Sequence, residues 1–281
     1  MLANQHKISF FSFLKKVLQR TELRVSNWTP ILQDTEQRGS NISLFNIAKK
    51  YNTDKAEHNY MVRYESIFEK IRFDNLNILE IGVKPETPGY KLGTKREKPA
   101  TPGAASLKTW KEYFPNSNIY GLDIEPTCKN YEEERIKIYI GNQGNKLLLT
   151  EICHEVGNFH IIIDDGSHVN DLTITAFNNL FPSLVSNGYY IIEDLACSYM
   201  NLDEHNVREK SKIGKDWWGM HLLPKEYSYN NNRTEILEFF EERLSRLDLG
   251  DNKRFNSLIG GKKKDLDSIC FYEQLCIMRK A

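Results

Sequence analysis

Five short stretches of the chain, at 77–83, 118–124, 136–140, 159–164 and 189–192, are nearly continuous in apolar side chains. Runs of that length predict strands buried on both faces of a parallel sheet. Between them, 106–113, 146–156 and 171–184 repeat their apolar residues at helical spacing. Strand, helix and parallel strand in succession need right-handed crossovers, so the alternation predicts an α/β fold with a Rossmann-like, doubly wound sheet. The rhythm changes after the fifth run. Residues 234–247 are strongly amphipathic, and 268–279 read as strand material broken by the polar pair Glu273-Gln274. An antiparallel hairpin there closes one side of the sheet.

Composition restricts the partners more than the fold. The 281 residues suit one α/β domain of ~200 residues with an extension. Lys plus Arg and Asp plus Glu number 38 each, so no overall field draws the chain to nucleic acid or to an anionic membrane. Cys128, Cys153, Cys197, Cys270 and Cys276 are odd in number, irregularly spaced and without a C-x-x-C pair. That pattern fits reduced thiols in a cytoplasmic protein better than a disulfide framework or a zinc site. No run approaches the ~18 apolar residues that a transmembrane segment needs. In 8–18, Phe10, Phe11, Phe13 and Leu14 precede Lys15 and Lys16, which reads as a short amphipathic helix rather than a signal peptide. It is expected to pack on the body of the protein or on a second copy, making the N-terminal region the contact of a homo-oligomer. Attachment to a membrane surface is the alternative.

A doubly wound sheet holds its ligand outside the carboxyl ends of its strands, near the point where strand order reverses. The residues at those ends are the candidates for chemistry. The first strand ends in Glu80-Ile81-Gly82, where the glycine permits a tight turn against a ligand. The second ends in Asp123, placed to accept from two ribose hydroxyls, and Gly141-Asn142-Gln143 after the third is a candidate adenine contact. The fourth ends in Asp164-Asp165-Gly166-Ser167-His168, and the fifth in Glu193-Asp194. Neighbouring strands lie ~4.8 Å apart, so one carboxylate from each reaches a common point. Alternation is expected to put Asp165 and Asp194 on one face, and Asp164 with Glu193 on the other. Two carboxylates with waters and hydroxyls suit Mg²⁺. His168 beside them is placed to take a proton from a hydroxyl held there. The bland reading is that these are solvated loop acids, with His168 capping the next helix.

These motifs resemble the metal-dependent sugar O-methyltransferases of macrolide antibiotic pathways, of the mycinamicin VI and demethylmacrocin type, and related enzymes of polysaccharide gene clusters. The matching stretches are Tyr51-Asn52-Thr53-Asp54-Lys55 with His58, Tyr60 and Tyr64; Ile78-Leu79-Glu80-Ile81-Gly82-Val83; Ser106-Leu107 with Trp110; Ile119-Tyr120-Gly121-Leu122-Asp123; and Gly141 with Gln143. Ile162-Ile163-Asp164-Asp165-Gly166-Ser167-His168 and Ile192-Glu193-Asp194-Leu195 are the specific part, and the resemblance runs over about 43–200. It implies the class I fold that binds S-adenosyl-L-methionine (SAM), which the closing hairpin also separates from dinucleotide dehydrogenases. It further implies methyl transfer to the hydroxyl of a sugar or nucleotide-sugar. Glu80, Gly82 and Ser106 would then line the methionine and ribose parts of the cofactor. Asp123 would bind the ribose, Gln143 would sit by the adenine, and Asp164 would lie on the cofactor side. Thr53 and Lys55 would fold over the cofactor's amino-acid end. Asp165 and Asp194 would hold the metal, with Asp165 and His168 at the reacting hydroxyl and His168 as base. The expected division is 1–75, a helical extension and cofactor-covering segment, and 76–281, the catalytic domain.

Two departures from the family pattern stand out. Residues 84–103, rich in Pro, Gly, Thr and Lys, are inserted after the first-strand glycine, as a surface loop or an ordered lid. Lys91, Lys95, Arg96 and Lys98 within them would suit a substrate phosphate. Asn142 stands where the family places an acid. Downstream, Trp217-Trp218 is a candidate sugar platform or a packing pair. Three other readings remain: a nicotinamide oxidoreductase, which lacks the expected G-x-G-x-x-G; a catechol-type methyltransferase; and a non-catalytic subunit of the same fold.

Overall fold

The computed structural model describes residues 42–86, 90–92, 96–98, 100–199, 233–247 and 265–281. It begins with α1 (Leu44–Tyr51), a 3-10 turn at Asp54–Ala56 and α2 (Tyr60–Phe68). Ser43 starts α1 by accepting from the Asn46 N–H at 3.2 Å, and Asn52 ends it in the left-handed conformation. After β1 (Asn77–Ile81) comes a small hairpin, β2 (Tyr90–Leu92) and β3 (Arg96–Lys98). Next are α3 (Ala105–Tyr113), β4 (Asn118–Asp123), β5 (Ile136–Ile140) and α4 (Lys146–Val156). The chain continues through β6 (Phe159–Asp164), α5 (Asn170–Leu180) and β7 (Leu184–Ile192). It ends with α6 (Arg233–Leu247), β8 (Leu266–Tyr272) and β9 (Leu275–Lys280).

Seven strands form one sheet in the order β5-β4-β1-β6-β7-β9-β8, with β1, β4, β5, β6 and β7 parallel and β9 antiparallel to both neighbours. The chain works outward from β1 to β5 and then crosses to β6, so strand order reverses between β1 and β6. The expected α/β fold and closing hairpin are both present, with the hairpin turning at Glu273-Gln274. One strand begins earlier than its apolar run suggests. The helical pattern of the sequence runs to Leu184, but α5 stops at Leu180 and Pro182 lies in a 3-10 turn. β7 then starts at Leu184, and its exposed Ser186 and Asn187 hid the first half from an apolar-run reading.

Alternation of side chains across the strands builds two cores. Ile78, Ile161, Ile163 and Ile191 face Leu44, Ile47, Tyr60, Tyr64, Phe68 and Trp110 of the first three helices. Leu79, Ile81, Ile162, Tyr190 and Ile192 face Leu149, Ile152, Phe177, Phe239 and Phe240 of the last three. Residues 42–75 therefore share a core with the sheet, and the compact unit containing the sheet begins at Ile42. Among the described residues, no helix is long and apolar enough to cross a membrane. Cys128, Cys197 and Cys276 are buried, Cys153 half-buried and Cys270 exposed, and none forms a disulfide. The 8–18 segment, Lys95 and Trp217-Trp218 lie outside the described residues, and of the β2–β3 hairpin only the backbone is described.

Candidate active site

Backbone register decides which acids meet. Asp164 pairs with Ile192 across the β6–β7 ladder, so Asp165 stands opposite Glu193. The same parity that sends Ile163 and Ile191 toward the first three helices sends Asp165 and Glu193 there too, with Glu80 from β1 beside them. This corrects the expectation that Asp164 and Glu193 share a face. Asp194 reaches the same place by another route. Its φ of 51° leaves the extended conformation and breaks the alternation, returning its carboxylate toward Asp165.

A buried ammonium organises the acids. Lys55 Nζ lies 2.6 Å from Asp165 Oδ2, 2.7 Å from Glu193 Oε2 and 3.1 Å from Glu80 Oε1. Lys55 is 2% exposed, and Glu80 and Glu193 are as deeply buried. Burial alone would push the Lys55 pKa down, but the three carboxylates outweigh it and hold it well above the ordinary value. Burial works the other way on Glu193, raising its carboxyl despite the ammonium. The remaining oxygens are also held: Trp110 Nε1 donates to Glu80 Oε2 at 2.6 Å, and the Tyr64 hydroxyl donates to Glu193 Oε1. Tyr60 Oη donates to Asp194 Oδ1 at 2.7 Å. Lys55, expected at the cofactor's amino-acid end, is thus committed to the acid cluster while still lining the cleft wall.

His168 completes the corner. Its Nε2 is 3.8 Å from Asp165 Oδ1 and 3.7 Å from Asp194 Oδ2, and its backbone is left-handed, with φ 55°. Burial lowers its pKa, against the pull of the two carboxylates, so the imidazole is neutral at neutral pH. One atom each from Asp165, His168 and Asp194 lies within 4.8 Å of the others. Ligands at ~2.1 Å from one ion lie ~3–4 Å apart, so small side-chain rotations bring this set onto a divalent cation. The presented carboxyl oxygens of Asp165 and Asp194 meet at this point, which also favours a cation there.

Two clefts adjoin this corner. One is lined by Ile81, Gly82, Asp123, Gly141, Asn142, Gln143 and Ser167, among others. The other is lined by Thr53, Lys55, Gly82, Ser106 and Asp165, with Thr101 and Pro102 from the insertion. Gly82 borders both. Its φ is 92°, and an added Cβ would lie 2.0 Å from the Asp165 carbonyl oxygen, so no other residue fits. The base of the insertion is anchored there as well: Asn52 Nδ2 donates to the Ala100 oxygen at 2.8 Å, and the Ala104 N–H to the Lys84 oxygen at 3.1 Å.

The cleft residues expected to touch adenosine are partly committed to the protein itself. Asp123 accepts from the Val83, Lys84 and Glu125 N–H groups at 2.8, 2.9 and 2.8 Å, which fixes its carboxylate at the cleft edge. Gln143 Nε2 donates to Asp164 Oδ1 at 3.2 Å, while its Oε1 accepts from the Ser167 N–H at 2.7 Å. Burial raises the Asp164 carboxyl to about 7, opposed by its bonds from Gly166 and Gln143. Gln143 and Asp164 therefore hold the turn that carries Ser167 and His168. Asn142 accepts from the Gly144 N–H at 2.7 Å, and its carbonyl from Asn145 at 2.9 Å, shaping the start of α4. Tyr60, Tyr64 and Trp110 had no role assigned from sequence; the i, i+4 spacing of the two tyrosines on one helix face was the available signal.

No family model matches the chain. Demethylmacrocin O-methyltransferase of Streptomyces fradiae is 37% identical over 155 residues, 54% of this chain and 36% of that protein. Mycinamicin VI 2''-O-methyltransferase of Micromonospora griseorubida is 37% identical over 158 residues, 56% of this chain and 37% of its own length. Among solved structures, MycE methyltransferase in complex with Mg, SAH (S-adenosylhomocysteine) and mycinamycin VI superposes with a TM-score of 0.59 at 27% identity. That match covers 85% of this chain and 54% of the other. The curated matches thus span little more than a third of the relatives' length. Over that span the chain is a homologue of sugar O-methyltransferases, and its sheet is that of the class I SAM-dependent methyltransferases.

Proposed function

We propose that the chain transfers a methyl group from SAM to a sugar hydroxyl with the help of a divalent cation, Mg²⁺ by preference. The observation that carries this is the convergence of Asp165, His168 and Asp194 within 4.8 Å beside a cleft bordered by Gly82. Relatives named for O-methylation of a rhamnosyl tetracenomycin C and of L-olivosyl-oleandolide support a sugar acceptor. Hard carboxylate oxygens suit Mg²⁺ better than imidazole does, so Asp165 and Asp194 would hold the ion and leave His168 for the proton. The ion would lower the pKa of an acceptor hydroxyl and stabilise the negative charge that develops on it. SAM supplies the methyl group on an electrophilic sulfonium.

The chain's own residues do the rest. His168 takes the hydroxyl proton at Nε2, and the resulting imidazolium is stabilised by Asp165 and Asp194 on either side. Gly82 would let the cofactor approach the backbone where both clefts meet, Asp123 would bind the ribose, and Thr53 and Ser106 would wall the methionine end. Rate comes from holding sulfonium and hydroxyl in line. For the acceptor's carrier, the basic residues Lys91, Lys95, Arg96 and Lys98 support a phosphate-bearing, nucleotide-linked sugar, with a capsule or lipopolysaccharide sugar as the polymeric counterpart.

Titration calorimetry with S-adenosylhomocysteine and with NAD⁺, each in the presence of Mg²⁺, tests the cofactor without knowledge of the acceptor. Micromolar binding of the first, ~8 kcal/mol, and none of the second is expected. Binding of NAD⁺ alone would overturn the reading. A sugar-acceptor screen with labelled SAM, with and without chelator, then tests the metal.

A further inference from the structure

The two carboxylates expected to hold the cation are gripped in the same way. Asp165 gives Oδ2 to Lys55 at 2.6 Å and turns Oδ1 toward His168 Nε2 at 3.8 Å. Asp194 gives Oδ1 to the Tyr60 hydroxyl at 2.7 Å and turns Oδ2 toward the same Nε2 at 3.7 Å. In each case one oxygen is held by the segment that precedes the sheet in the chain, and the other is presented at the common point. Asp194 needs such a hold more than Asp165 does. It sits in a left-handed backbone at the end of β7, outside the strand geometry that orients its neighbours. The Tyr60 oxygen also accepts from the Asp194 N–H at 3.4 Å, and the Gln274 carbonyl at 3.4 Å is a longer alternative acceptor for its proton. The ring is placed independently of its hydroxyl, stacked on His58 at 5.5 Å and edge-on to Tyr64 at 6.4 Å.

We infer that Tyr60 is a positioning residue that sets the rotamer of Asp194 so that Oδ2 faces the divalent cation. The inference rests on the metal-assisted reading above. A carboxylate free to rotate loses that freedom when it binds an ion, whereas one already held by a buried phenol has lost it in folding. Such partners of metal ligands change affinity by roughly 10–100-fold when removed.

The test is Tyr60→Phe in the full chain, which removes the hydroxyl and keeps the stacked ring. Mn²⁺ binding is followed by the loss of its free-ion paramagnetic resonance signal, and S-adenosylhomocysteine binding by calorimetry. The dissociation constant for Mn²⁺ is expected to rise roughly 10–100-fold with cofactor affinity unchanged. Equal Mn²⁺ affinity in variant and wild type overturns the inference alone. Parallel loss of Mn²⁺ and cofactor binding also overturns it, because the hydroxyl would then be supporting the fold rather than one ligand. A wild-type protein that binds cofactor but no Mn²⁺ overturns the metal-assisted reading and this inference with it.

Discussion

The corner around Lys55 and the cleft around Gly82 adjoin, yet they are built by opposite means. The cleft is made of strand ends and their turns, with polar groups satisfied by backbone N–H groups close in sequence or on the next strand, as at Asp123. The corner is made of side chains held by other side chains, at separations of 110 and 138 residues for Lys55 and 134 for Tyr60. A backbone-built cleft tolerates changes in side chains that hold no turn in place, but not changes in turn geometry. A side-chain corner is sensitive to the loss of any one partner. Substitutions on the two sides should therefore separate cleanly.

The largest effect is expected from Lys55→Met. It leaves Glu80, Asp165 and Glu193 without their counter-charge in a buried setting and should cost roughly 3–5 kcal/mol in urea unfolding. If stability changed by less than about 1 kcal/mol, the ammonium would not be the organiser of the corner. Gly82→Ala comes next, at roughly 3 kcal/mol, since it combines an unfavourable backbone conformation with contact against the Asp165 carbonyl. Because Gly82 borders both clefts, loss of both cofactor and Mn²⁺ binding should accompany it. Gln143→Ala should act on one side only: unhooking Asp164 from Ser167 should weaken S-adenosylhomocysteine about tenfold, ~1.4 kcal/mol, with the Mn²⁺ constant moving far less. The smallest change is expected from Asn142→Asp. The acceptor for the Gly144 N–H is kept, so unfolding should shift by under ~0.5 kcal/mol, while the added charge should favour SAM over its product, which lacks the sulfonium charge. Calorimetry with both compounds would show that preference or its absence.

The same division explains what could be read from the sequence. Apolar patterns located β5, β6 and α4 to the residue, because a short apolar run and a helical period are both local patterns. The candidate acids were legible as strand-end residues. Their grouping was not, since it depends on the Asp164–Ile192 register and on the positive φ of Asp194, neither of which leaves a mark in composition. Lys55 was expected at the cofactor's amino-acid end, and its place among the acids was not legible because its three partners come from three different strand ends. The β2–β3 hairpin was read only as an insertion, for its strands are three residues each and too polar to show a two-residue period. The β7 start was missed because Ser186 and Asn187 sit in the exposed half of the strand.

The long separations at Lys55 also bear on how fast the protein comes together and apart. A cluster closed across 110 and 138 residues cannot form until the loop between its parts is already ordered by the sheet. Lys55 would then dock late, after the barrier to folding has been crossed. Weakening that contact should leave the folding rate almost unchanged and appear instead as faster unfolding. The lifetime of the folded protein, more than its rate of formation, would rest on one buried ammonium.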